Sequence, residues 1–234
     1  MKQIEQNQKL GEIVAMLPKA SEIFKNVQID FCCGGHRTLE EAILEKGLNA
    51  EVLLKQLNEA YQIFIERAEG NIPSAATDVE LIDFYIMPHH VFTKQILPEI
   101  SELAGTILRV HGANHRELFT IHKLVRNLEA DLEQHLIKEE TILFPAIKEY
   151  ASNPSEKTLK QVKEQIAETE DEHDTAGAIL KELRAITDEY SVPEDGCETY
   201  DLTFELIQRL ESDLFEHIHL ENNILFKRFE TAVV

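Results

Sequence analysis

The string His135-Leu-Ile-Lys-Glu139-Glu140-Thr-Ile142-Leu143-Phe144 recurs near the C-terminus as His217-Ile-His-Leu-Glu221-Asn-Asn-Ile224-Leu225-Phe226. Both read HxxxExxILF. A second pattern precedes each copy: His90 is followed by five residues and then Ile96-Leu97-Pro98-Glu99-Ile100, and His173 by five and then Ile179-Leu180-Lys181-Glu182-Leu183. The upstream His lies 45 residues before the string in the first half and 44 in the second. About one residue in five is acidic, so a single HxxxE would mean little. Two copies with the same apolar tail, each with a matching upstream His, describe one helical hairpin used twice about a pseudo-two-fold axis.

The breaks around these strings set the architecture. From Thr77 onward, interruptions fall near Gly112-Ala113-Asn114, at Ser152-Asn153-Pro154 and over Ser191-Val192-Pro193-Glu194-Asp195-Gly196. They leave four long segments without strand-like alternation, which predicts an all-α fold: an antiparallel four-helix bundle over residues 78–234. Thr77 or Asp78 can cap the first helix, with Glu80 in its opening turn. Pro88 is expected to kink that helix, because it lacks an N–H and crowds a carbonyl. Residues 1–66 read as a small domain of short helices broken at Pro18, Gly34-Gly35 and Gly47. Its last helix, over 49–65, carries Val52, Leu53, Leu57, Tyr61 and Phe64 at helical spacing. The stretch 67–77, with Gly70, Asn71, Pro73, Ser74, Ala75 and Ala76, reads as a linker.

At positions i and i+4, the His and Glu of each string stand on one helical face. Counting from each His to the neighbouring break brings His90, His135, His173 and His217 to one level, within about a turn or two of an up-down bundle. Four imidazoles and the carboxylates of Glu139 and Glu221 then meet in the interior. Six N/O ligands without thiolate favour iron or manganese over structural zinc, and two carboxylates able to bridge suit a pair of metals. Glu170-Asp-Glu-His173 matches the ferritin-type Glu-x-x-His, but Leu132 and Leu214 occupy the corresponding positions before His135 and His217, which disfavours a ferroxidase. HExxH, Walker and Gly-rich dinucleotide motifs are absent. His111, His115 and His122 lie too far along their helices to join the cluster. His89 and His219 flank ligands on a different face, His89 as a supporting residue.

Acidic residues outnumber basic ones by 43 to 23, for a formal charge of -20, which disfavours nucleic-acid partners and polybasic membrane anchoring. With no apolar run of membrane-spanning length and no signal-peptide core, the expected address is the cytoplasm. Three cysteines make no disulfide framework. Cys32 and Cys33, beside Gly34 and Gly35, would close only a strained ring, so they read as two thiols: a redox pair, or a soft docking point for iron in transit. Cys197 reads as a packing residue.

At Asp30 to Gly35, His89-His90, Glu172-His173-Asp174 and the two HxxxE strings, the sequence resembles a known family over nearly its whole length. The bundle resembles a hemerythrin-like domain, and the DFCCGG segment resembles the domain that precedes it in the di-iron proteins that repair iron–sulfur clusters (the repair-of-iron-centres family). The resemblance implies two irons bridged by Glu139 and Glu221, with two His on each. It also implies repair of clusters damaged by oxidants or nitric oxide, in the cytoplasm, often as a homodimer. Oxygen-carrying hemerythrins place another His one turn after the third-helix ligand; here that residue is Gly177. The more open site this implies favours iron donation or reaction with small ligands over dioxygen storage. Two rivals share the site: nitric oxide reduction, and a sensor or carrier that binds dioxygen or nitric oxide.

Overall fold

The computed structural model of the protein describes residues 3–17, 19–67, 76–230 and 232, and in residues 63–67 the backbone alone. The stop expected at Pro18, the side chain of Phe64 and most of the 67–77 segment lie outside the described residues. The chain is all-α, and among the described residues the only β pairing is an isolated bridge between Lys9 and Thr38. Two compact units form, one within Met1–Tyr85 and Phe215–Val233, the other Ile86–Leu214. The helix Glu198–His219 is continuous through the division.

In the first unit, α1 (Leu10–Met16), α2 (Ala20–Asn26), α3 (Leu39–Lys46) and α4 (Ala50–Arg67) enclose a core that includes Leu10, Phe24, Phe31, Leu39 and Leu57. Thr38 and Glu41 close a capping box at the start of α3, and Gly47 ends that helix with φ 62°, a left-handed conformation that costs glycine little. Asn49 starts α4 by accepting from the Val52 N–H. Leu53, Leu57 and Tyr61 are buried as their spacing predicts, whereas Val52, a quarter-turn off that stripe, is 53% exposed.

The bundle helices begin at Thr77, whose hydroxyl accepts from the Glu80 N–H while the Glu80 carboxylate accepts from the Thr77 N–H. α5 (Asp78–Glu80) passes through a π-helical stretch, Leu81–Ile86, into α6 (Met87–His111). The interruption expected from Pro88 thus takes the form of a widened turn just ahead of it. Pro88 stands second in α6, directly after the widened turn, where the ladder is already irregular and the N–H it lacks is more easily accommodated. The same order recurs in the next helix: α7 (Glu117–Lys138), a π stretch Glu139–Leu143, then α8 (Phe144–Ser152) with Pro145 second. α9 spans Glu156–Ile186 and α10 Glu198–His219, which continues into a third π stretch, Leu220–Leu225, before α11 (Lys227–Glu230). Among the described residues no helix is long and apolar enough to cross a membrane.

α9 stops at Ile186, ahead of the break expected from Ser191. Asp188, Glu189 and Tyr190 follow with φ of 48°, 60° and 62°, a costly run for residues with side chains. The turn is held by Arg184, whose guanidinium reaches Glu189 Oε2 at 2.6 Å, pairs with the buried Glu211 and lies 5.1 Å from the Tyr190 ring centre. Thr187 Oγ1 accepts from the Tyr190 N–H and donates to the Leu183 carbonyl.

Candidate metal centre

α6, α7 and α9 carry His90, His135 and His173, and the π stretch after α7 carries Glu139, all at or below 3% exposure. His90 Nε2 and His135 Nε2 each lie 3.3 Å from the same oxygen, Glu139 Oε2, and His173 Nε2 lies 3.2 Å from His135 Nε2. In the helix that follows, His217 Nε2 lies 3.2 Å from Glu221 Oε1, again with both side chains buried. Ligand atoms within 4.8 Å of one another form two sets: His90, Glu139, His217 and Glu221; and His135, Glu139, His173 and Glu221. The two carboxylates are the members common to both sets. The six residues singled out from the sequence are the members of these two sets.

The donor chemistry fits cations. Two carboxylates with 1% and 0% exposure, taken out of water among imidazoles, form an anionic, nitrogen- and oxygen-rich set that divalent ions would neutralise. Glu139 opens its π stretch and Glu221 lies inside the matching one, so both HxxxE strings carry the carboxylate on a widened turn. Helical periodicity does not register such a turn, because an added residue shifts the register without changing the residue types.

Two further carboxylates steady the rings from outside, and spacing within one helix could not reveal them. His90 Nδ1 meets Glu140 Oε1 at 2.9 Å, and Lys94 Nζ grips the same carboxylate at 2.6 and 2.7 Å. His135 Nδ1 meets Glu172 Oε2 at 2.8 Å, and Lys138 joins Glu172 to Glu168. Burial works to raise both acids, but the lysine and histidine bonds outweigh it and hold Glu140 and Glu172 below the usual glutamate value. An ionised carboxylate on Nδ1 fixes the tautomer that turns Nε2 inward. The one available signal is position, since each acid is the sequence neighbour of a ligand candidate. Glu140→Ala or Glu172→Ala is expected to weaken metal affinity by about 10–100-fold, measurable by competition with a chelator.

Of the histidines set aside, His89 meets Asp213 at 2.9 Å, and His219 is buried against the Phe31 ring, its pKa pushed down to about 4 by that burial. Cys197 corrects an expectation, because it is exposed rather than packed. It directly precedes α10, with its thiol 3.3 Å from His111 Nε2. His115 stands nearby between Glu117 and Asp195. The His111 bond, helped by the Tyr200 N–H, lowers the Cys197 thiol to about 7. Its alkylation rate should therefore level off above about pH 7, and His111→Ala should move that plateau upward while leaving metal content intact.

The geometry defines a class: an all-α protein whose long helices carry buried histidines and glutamates in groups able to hold a metal ion. The hemerythrin HHE cation binding domain matches residues 81–229, and a domain of unknown function (DUF542) matches residues 6–61. Iron–sulfur cluster repair protein YtfE of Enterobacter sp. (strain 638) is 35% identical over 222 residues, covering 95% of this chain and 96% of that protein. The YtfE protein of Escherichia coli O17:K52:H18 matches to the same extent. The chain belongs to the YtfE family of iron–sulfur cluster repair proteins.

Proposed function

We propose that the protein holds two irons and repairs iron–sulfur clusters damaged by oxidants or nitric oxide by donating iron to them. The observation that carries the reading is the pair of thiolate-free ligand sets that share Glu139 and Glu221. His90 and His217 would hold one iron, His135 and His173 the other, with the two carboxylates common to both. Bound there, the pair would supply ferrous iron for transfer and open positions for small ligands.

The chain's own groups tune that hold. Glu140 and Glu172 orient imidazoles, and Lys94 and Lys138 keep those acids ionised and in place. Gly177, buried one turn beyond His173, offers no further imidazole. One site is thereby left less tightly closed, as suits a donor. Cys32 and Cys33 fit a role in passing iron or meeting the damaged client, since thiols suit iron bound for a cluster. The reading extends to a cytoplasmic homodimer that meets nitric oxide or dioxygen, and its support there is the family.

Mixing iron-loaded protein anaerobically with an apo-ferredoxin and a sulfide source tests donation through the growth of cluster absorption. Transfer faster than from an equal amount of free ferrous iron is expected, and none beyond it would sink the proposal. The absent imidazole at Gly177 favours one rival, reduction of nitric oxide at the same centre. Anaerobic turnover with an electron donor, followed by assay for nitrous oxide, separates the two, and a single stoichiometric burst would count against reduction.

A further inference from the structure

The adjacent cysteines look interchangeable in sequence, yet the fold treats them differently. Phe31 is fully buried, with its ring near those of Phe24, Phe215 and His219, and anchors one side of the loop. Asp30 Oδ1 gathers three donors: the Cys32 N–H at 3.2 Å, the Gly34 N–H at 3.0 Å and the Cys32 thiol at 3.2 Å. The Cys32 carbonyl accepts from the Gly35 N–H at 3.1 Å and from Asn223 Nδ2 at 3.3 Å. The Asn223 side chain fills a slot bounded by Gly11 and Gly35, where a β-carbon on either glycine would collide with it. The first HxxxE string has Thr141 in the equivalent place, so this lock belongs to the second copy alone.

The loop is thus pinned on both sides, and the pinning sorts the thiols. Cys32 is turned inward at 2% exposure with its proton directed to a carboxylate, while Cys33 opens the short 3-10 turn Cys33–His36 and is half-buried. We propose that Cys33 alone is the reactive thiol of the pair, a nucleophile toward small disulfides and soft electrophiles, and that Cys32 is a structural donor clamped by Asp30. In exchange with a disulfide, Cys33 gives its proton to solvent and its sulfur forms a bond to one disulfide sulfur. The S–S bond breaks, and the other sulfur leaves as thiolate with the electron pair. Burial, together with the neighbouring Cys33 and Asp30, raises the Cys32 thiol well above its ordinary value and starves it of the thiolate that attacks. The inference is independent of the repair reading, because its test reads thiol rates and not iron.

The test uses the metal-loaded full chain carrying Cys197→Ser, which removes the exposed third thiol, and 5,5′-dithiobis(2-nitrobenzoate) as the disulfide. One fast thiol is expected, with the second slower by at least about 10-fold. Cys33→Ser should abolish the fast phase and Cys32→Ser should keep it. With both cysteines in place, limiting iodoacetamide followed by peptide fragmentation should put the label on Cys33, a readout that does not depend on how the serine variants fold. Asn223→Ala should narrow the gap between the two rates, and denaturant should close it. Labelling at Cys32, equal rates in the folded chain, or a gap that persists after unfolding would overturn the proposal.

Discussion

Replacing Glu139 or Glu221 with leucine is expected to strip at least one metal ion from each chain. Each carboxylate belongs to both four-residue ligand sets, whereas each histidine belongs to one. Losing an imidazole leaves a metal three of its four protein donors. Losing a shared carboxylate would take a donor, and a negative charge, from both ligand sets at once. The new side chain is apolar and lands where the glutamates are 1% and 0% exposed, so the bundle should still fold. The fair comparison is Glu140→Leu next door, which should weaken metal binding without removing a ligand. Elemental analysis of anaerobically purified protein decides the matter. Full retention of both metals in the Glu139→Leu or Glu221→Leu variant would refute the sharing.

Arg184→Ala is expected to produce a large loss of stability from a single change away from the candidate metal centre. The guanidinium pairs with Glu211, which is 3% exposed, spans the three left-handed residues after α9 through Glu189, and covers the Tyr190 ring. Removing it strands a buried carboxylate and releases a turn that is costly by itself, for a loss of about 3 kcal/mol, the low end for a broken buried pair because Arg184 keeps 29% exposure. In a domain of this size that is roughly 6–12 °C of melting temperature. The loss should grow with pH. Burial already raises Glu211 above the usual glutamate value despite Arg184, and without the guanidinium it rises further. Between the unfolded and folded values the folded state binds the extra proton, so stability falls as pH rises. Thermal melts at pH 5 and pH 8 should show the smaller penalty at pH 5. A penalty equal at both would mean that Glu211 finds another partner.

The six residues of the two candidate ligand sets were legible because His and Glu placed on one face of a helix leave a periodic trace. His and Glu four apart share a face, and the repeated breaks set their heights. The carboxylates behind the rings were not legible in the same way. Glu140 meets a histidine 50 residues away and Glu172 one 37 residues away, and nothing within either helix announces the pairing. The apolar tails were read as equivalent, yet Ile142 is 42% exposed while Ile224 is 8% and lines a cavity together with Val14 and Phe31. The same asymmetry makes Asn223 a lock and Thr141 a surface residue.

By itself the amino-acid order determined the element type, the helical plan, the candidate ligand positions and the thiol motif, because each follows from periodicity, breaks and residue chemistry along one chain. Tertiary structure alone decided the π turns that carry both shared carboxylates, the lysine-gripped acids behind the imidazoles, the early end of α9 and the inequality of Cys32 and Cys33. Those features depend on which side chain meets which across separate helices, and burial and hydrogen-bond satisfaction act on distances in space rather than along the sequence.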